Sequence, residues 1–490
     1  MILREAFDYR FSRLDPTGDH IDPPNLAVYQ TLLAKGPDGR PRPLLARDWK
    51  VSDDGLEWLV RLRPDARFQS GDRCDSRAVL EAFEYLRYES FPDRQLWYWD
   101  PVDTVSAVDA ETLRFRLHYP YSRLPSLLWG THTGVFNARR RRADKDGSGH
   151  RFADGTGPFQ LRSWSPERIV VERSPGYAGP APPLDRIEWS SFLDEGERLE
   201  ALERGEVHVL HGPPLSEVER LRAEGRFVVH EQPQASNMYL ALDFRRGDLG
   251  FDDVSVRRAI SLALDRTELV RGALAGHGSP AWGPTPPGDV YYDPEVDAAG
   301  EYAPGRARAL LGETTAIACE CVVQDDPAFR RVAALVQKQL ARVGVRLELR
   351  FEPPFAPFYQ AAAAGPAATI SKWLWQDPID ALIGFSSTST APAPNWQHAS
   401  VPELDRAFDR WLRAGGPDEL RLAAAEVQQV FARELPYIPL LVPNDVWVWS
   451  PLVQGFSPSP TTLYPFYDHV RLAAEAPAEP SGRKTGTAGS

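Results

Sequence analysis

PDGRPRPLLARDWKVSDDGLEWLVRLRPDARFQSGDRCDSRAVLEAF, residues 37–83, decides how this chain folds. Leu44, Leu45 and Trp49 form an apolar anchor. Ser52-Asp53-Asp54-Gly55 marks a turn, in which glycine supplies the positive φ that other residues resist. Leu56, Trp58, Val60 and Leu62 then alternate at strand period, with Arg61 and Arg63 on the other face. Gly71-Asp72 turns the chain again, and Asp75-Ser76 can cap a helix carrying Val79, Leu80 and Phe83. The stretch is a hairpin followed by a helix, a scaffold rather than a reaction centre.

Around it, 490 residues are too many for one core and imply two or three lobes. A hydrophobic content of 42% with 25% charged residues fits an ordinary soluble globular protein. The net charge of −12 argues against nucleic acid, whose phosphates demand clustered Lys and Arg. Arg139-Arg140-Arg141-Arg142 reads as a solvated helix end or loop. No run of about 18 apolar residues occurs, so no helix spans a bilayer. Three cysteines are an odd number and too few for a disulfide framework. Cys319 and Cys321 share one face of a strand-like run, a poor placement for a relaxed disulfide, and all three cysteines read as buried or half-buried thiols.

Strands and helices interleave throughout, which predicts an α/β build. Apolar spacing predicts helices over 254–275 and 326–343, the second ended by Gly344 and followed by a strand from Val345 to Leu349. A third helix, Glu419 to Arg433, precedes a strand from Pro436 to Val442. Residues 476–490, rich in Pro, Gly, Ala and Ser, read as a disordered tail. Enzymatic and metal motifs do not emerge. Gly384-Phe385-Ser386-Ser387-Thr388 lacks the second glycine of a nucleophile elbow. Gly155-Thr156-Gly157 runs into Pro158 and a strand, which is wrong for a phosphate loop. Asp144, Asp146 and Ser148 begin like a calcium loop, but Gly155 stands where the bidentate Glu belongs. His208 and His211, three apart on a strand, face opposite ways and are not a natural ligand pair. The expectation is therefore no catalytic residue, no cofactor and no metal.

The wording of residues 37–83 resembles the extracytoplasmic solute-binding proteins of the dipeptide, oligopeptide and nickel uptake family, family 5 of the ABC-transporter binding proteins. The resemblance runs over about residues 3 to 472. Gly155-Thr156-Gly157-Pro158-Phe159 looks like the family's G-T-G-P-Y/F strand entry, and Glu172-Arg173-Ser174-Pro175-Gly176-Tyr177 with Pro183-Leu184-Asp185 looks like its E-R-N-P-x-Y segment. Phe251-Asp252-Asp253-Val254 to Leu264-Asp265-Arg266 matches its F-x-D-x-x-V-R helix, and Glu434-Leu435-Pro436 with Ile438-Pro439-Leu440 its L-P-x-I-P-L strand. The resemblance implies a two-lobed periplasmic-binding-protein-like fold with mixed sheets and an inserted α/β lobe. Lobe I would comprise 1–40, 157–236 and 452–475, the inserted lobe 41–156, and lobe II 237–451. Crossings near Gln234–Asn237 and Pro451–Gly455 would form the hinge.

The same resemblance places a cleft at Lys372-Trp373-Leu374-Trp375-Gln376-Asp377-Pro378. Trp373 would be a flat wall with a donor at its edge, with Trp375 beside it. Asp377 would hold a cationic group, or else cap a following helix that Pro378 begins. The segment is shorter here between Trp and Asp-Pro than in free-peptide binders. Nickel-binding relatives use an Arg-x-x-Trp in the cleft where this chain has Arg94 and Trp97; the alternative is an aromatic loop packed between lobes. Trp129 and His132 lie where relatives send a loop into the cleft, with local backbone as the other use for His132. Asn395-Trp396 fits the late cleft edge.

These features imply a monomeric solute-binding component of an ABC importer, which captures a short peptide or other small polar solute and presents it to permease and ATPase subunits. No nucleic acid is expected as a partner. The resemblance places the protein outside the cytoplasm. Leu3 to Tyr9 already reads as the first strand of the mature fold, so either a leader has been removed or the chain stays in the cytoplasm. A cytoplasmic sensor of the same fold is one alternative. The other is a repurposed enzyme, for which Asp377 and His132 are the pair to test.

Overall fold

The computed structural model describes residues 1–11, 14, 16, 25–36, 40–90, 99–144, 153–312, 317–354, 356–372, 382, 384–387, 395–458 and 467–473. The strand β1 (Ile2–Phe7) stops two residues short of the expected Tyr9, because its parallel partner runs out at Ser191, opposite Phe7. The hairpin forms as its sequence dictates: β2 (Ala46–Val51) and β3 (Glu57–Leu62) pair antiparallel about Gly55, whose φ is +71°. Trp58, Val60 and Leu62 are buried, at the expected alternation. With β4 (Val102–Ala107) and β5 (Thr112–Leu117) the hairpin completes a four-stranded sheet in the order β2-β3-β5-β4. The helix α1 (Ser76–Tyr85) is capped by the Asp75 carboxylate, which accepts from the Ala78 N–H, and buries Val79, Ala82 and Phe83. The arginine run lies on a helix, Ala138–Ala143, where Arg139, Arg140 and Arg142 pair with Glu81, Asp72 and Glu89.

A larger sheet holds twelve strands among the described residues. They are β1, β6 (Phe159–Ser165), β7 (Arg168–Arg173), β8 (Arg186–Ser191), β9 (Val209–His211), β10 (Val228–Pro233), β11 (Met238–Leu242), β12 (Gly278–Pro280), β13 (Ile317–Gln324), β14 (Val345–Glu352), β15 (Ala368–Lys372) and β16 (Ile438–Trp449). The order is β14-β13-β15-β11-β16-β9-β1-β8-β7-β6, with β10 and β12 also paired to β16. The sheet is mixed: β1 runs parallel to β8 and β9, and β13 parallel to β14 and β15, while β16 is antiparallel to each of its partners. The expected strand at 436–442 is thus corrected to twelve residues. It continues past Pro443 because β10 takes over as partner from Asn444 onward.

After α2 (Glu195–Glu203), the helix expected over 254–275 is two helices, α3 (Val254–Leu262) and α4 (Arg266–Leu274). The break has a local cause. Asp265 turns its carboxylate onto the Glu268 N–H as a new N-cap, and the buried Arg266 guanidinium donates to the carbonyls of Ala281, Pro439 and Ser261. The helix α5 (Pro327–Ala341) joins the parallel pair β13 and β14, and the chain turns into β14 at Gly344, φ +89°. Two further helices, α6 (Pro402–Arg413) and α7 (Pro417–Glu434), lead into β16. No helix among the described residues is long and apolar enough to cross a membrane.

Two cores flank the middle of β16. Leu3, Phe7, Ile187, Trp189, Trp447 and Trp449 belong to one, which continues under the four-stranded sheet. Met238, Leu240, Ile260, Val336, Ile438 and Leu440 belong to the other. The two glycines of Gly155-Thr156-Gly157 serve the first core. A Cβ at Gly155 would sit 2.1 Å from the Val28 carbonyl oxygen, and one at Gly157 2.4 Å from that of Ala27. They are glycines because the backbones touch, not because a phosphate approaches.

Candidate functional site

Where β16 passes from one core to the other, its apolar run is interrupted by Asn444-Asp445. In an otherwise buried strand two polar residues need partners, and each finds them. The Asp445 carboxylate is about a fifth exposed. It lies 2.8 Å from His211 Nε2 at the end of β9, and it accepts from Trp447 Nε1 at 2.6 Å. From the other half of the molecule Lys372, the last residue of β15, donates to Gln234 Oε1 at 3.1 Å and adds its positive charge to the field at Asp445. Burial opposes ionisation of Asp445, but His211, the Trp447 N–H and Lys372 together outweigh it and hold the carboxyl below its usual range. For His211 burial disfavours the imidazolium; Asp445 and Asp8 overcome that, against Arg198, and raise the ring above its ordinary value. The ring packs 4.4 Å from Trp447 and 5.5 Å from Phe7, and Tyr9 and Phe11 extend the aromatic face. A second polar knot stands on the strand's opposite side, where Glu231 accepts from Asn444 Nδ2 at 2.6 Å and faces His277 Nδ1 at 2.9 Å.

This crossing places charged groups from both halves of the molecule within one field: His211 from the first, Lys372 from the second, Asp445 between them. Among the described residues no group of three His, Cys, Asp or Glu could hold a metal ion. The three cysteines are free and buried, and burial pushes their thiols up, away from the reactive thiolate.

Of the residues expected at the cleft, Trp373, Trp375, Asp377, Trp97 and Arg94 lie outside the described residues. Trp129 follows the short helix Leu124–Leu128 and is half-buried, with the Lys35 ammonium 5.7 Å from its ring centroid and its indole N–H without a hydrogen-bond partner among the described residues. His132 sits three residues on, in the turn Thr131–Thr133, where burial lowers its ring to about 4 and keeps it neutral. Asn395 uses its amide inside its own loop: it donates to the carbonyls of Ser386 and Ala399 and accepts from the Ala399 N–H. Trp396 is 6% exposed and packs against Phe358 and Tyr359, at 6.3 and 6.0 Å. Trp129 and Trp396 pack on different cores.

Asp445 was missed from the sequence; Lys372 was named only as the start of the cleft segment, Gln234 only at a hinge crossing, and His211 only as a metal ligand. The usable signal was the polar pair Asn444-Asp445 inside an apolar run. At the far end of β11, a cavity of about 740 Å³ is lined by Arg245, Asp252, Arg257, His398, Glu403 and Arg406. Arg257 there is fixed on the carbonyls of Phe251, Asp252, Glu434 and Leu435.

Residues 40–395 match the family model for bacterial extracellular solute-binding proteins, family 5 Middle. The glutathione-binding protein GsiB of Salmonella paratyphi A is 27% identical over 494 residues, covering 94% of this chain and 93% of the relative. Among solved structures, DppA of Helicobacter pylori in complex with the peptide STSA has a TM-score of 0.85 at 21% identity, covering 97% of this chain and 98% of the other. NikA of Staphylococcus aureus in complex with Ni(L-His)2 has a TM-score of 0.81 at 15% identity, covering 96% and 99%. These likenesses show the fold, that of the two-lobed periplasmic binding proteins.

Proposed function

We propose a peptide-capture role from one premise: the chain belongs to the bacterial extracellular solute-binding proteins of family 5. It is the solute-binding component of an ABC importer. The solute is a short peptide or similar small polar molecule, glutathione among the candidates. It sits between the lobes above the Asp445 crossing, and closure outside the cytoplasm presents the loaded form to a membrane permease served by ATPase subunits. The monomer would divide as 1–40, 157–236 and 452–475 for lobe I, 41–156 for the inserted lobe and 237–451 for lobe II. Trp373, Asp377, Trp375, Trp97, Arg94, Trp129, His132, Asn395 and Trp396 remain the proposed contacts. Closure is driven by the difference in affinity between open and closed states, so the solute must touch both lobes.

The observation that carries this reading is Asp445, a half-buried carboxylate on the strand shared by both cores and within the field of charges from each. Native mass spectrometry of the protein purified from its own host tests it. The expected result is an intact small molecule held noncovalently and released on unfolding. A chemically altered solute, or turnover of an added peptide, would contradict it.

A further inference from the structure

Beneath the crossing lies a carboxylic acid that solute capture does not require. Glu5 sits fully buried in β1, where its Oε2 accepts from Trp189 Nε1 at 3.0 Å and from the Tyr467 hydroxyl at 2.9 Å. Its other oxygen, Oε1, has no hydrogen-bond partner among the described residues. The parallel register sets Glu5 beside Val209 and Ala6 beside Leu210, so His211 stands beside Phe7. Glu5 and His211 therefore project from one face of adjacent strands, two residues apart, within reach of two extended side chains. His211 is held to Asp445 through Nε2, and its second nitrogen, Nδ1, also has no hydrogen-bond partner among the described residues. One buried atom that can carry an acid's proton and one that can accept it are thus left on a shared face.

The charged and titratable surroundings can be named. Around Glu5 stand Tyr467, Trp189 and His211. Around His211 stand Asp445 of β16, Asp8 at the end of β1 and Arg198 of α2, with Lys372 acting on Asp445 from β15. Burial pushes the Glu5 carboxyl up to about 8, against the hydrogen bonds of Tyr467 and Trp189 and the charge of His211, so it is protonated at neutral pH.

We propose that Glu5 and His211 titrate as one coupled unit, and that the charge of this unit tunes the affinity of the crossing above it for solute; the second half rests on the solute-capture reading. At acidic pH Glu5 is neutral and His211 is a cation paired with Asp445. As pH rises the unit loses one proton, which belongs to the pair rather than to either residue. The hold of the first lobe on Asp445 then changes while that of Lys372 does not, and the balance between the lobes moves.

The test uses the full chain. The ring protons of His211, assigned with a His211→Gln variant, are followed by NMR against pH in wild type and in Glu5→Gln, which mimics the protonated acid. Wild type should bend twice, the upper inflection near pH 8, and Glu5→Gln once. Identical curves overturn the proposal. Tyr467→Phe, which removes a donor favouring the carboxylate, should move the upper inflection to higher pH, and decides the matter if Glu5→Gln does not fold. Glutathione binding, read by tryptophan fluorescence on either side of that inflection, should change at least about fivefold in wild type and less in Glu5→Gln. Equal changes in both overturn the link to affinity. If glutathione and a dipeptide panel fail to bind at every pH, the capture reading and the link to affinity fail together, while the NMR comparison still decides the coupling.

Discussion

At the scale of single residues, polar groups in apolar strands carry the functional information. Asp445 has a calculable consequence. Asp445→Asn keeps the shape but leaves the His211 imidazolium facing burial and Arg198 without its counter-charge. The pair is about a fifth exposed, so solvent screens it, and the loss should be about 1–2 kcal/mol. Because the ring's folded value is raised, the stability it contributes is fully present below its ordinary value of 6.5 and is lost as pH rises through the raised one. Urea midpoints should therefore separate wild type from Asp445→Asn most widely below the ordinary imidazole value and draw together as pH rises through the raised one. A gap that widens toward alkaline pH would contradict this assignment. Residues of this kind were the least legible in the sequence. Asp445, Lys372 and Gln234 sit far apart in the chain, and nothing local announces that one strand crossing brings them together. Gly155 and Gly157 were legible as strand entry rather than phosphate loop, although their reason, contact with the backbone of Ala27 and Val28, is a tertiary one.

At the scale of elements, local chemistry was legible and partnership was not. The β2–β3 hairpin followed from strict alternation and a glycine turn, and α1 from its Asp75 cap. The α5–β14 unit followed from helical spacing ended by Gly344. The strand β16 was read seven residues too short at its far end, since a proline and two polar residues look like an ending until β10 is in place beside them. The 254–275 run hid its break because apolar spacing continues through Ala263 and Leu264, and only the capping of Asp265 stops the helix. Asp265→Ala should cost about 1 kcal/mol by removing that cap. The loss should appear in the denaturation midpoint, with hydrogen exchange of Glu268 and its neighbours accelerated beyond the global change. Unaltered exchange at Glu268 would mean that the buried Arg266 alone ends the helix.

At the scale of the molecule, two hydrophobic cores share one strand, and the polar crossing lies at the point of sharing. Length implied only two or three lobes, and the two-lobed arrangement came from the family resemblance rather than from periodicity. The sequence also named cleft residues, and those among the described ones occupy two separate places, Trp129 with His132 and Asn395 with Trp396. The proposed closure would change the angle between the two halves. Small-angle scattering of the full chain with and without its co-purified solute measures that change directly. The radius of gyration should fall when solute is added and recover when it is removed; a tightly bound solute that leaves the scattering curve unchanged would contradict a closing clamp.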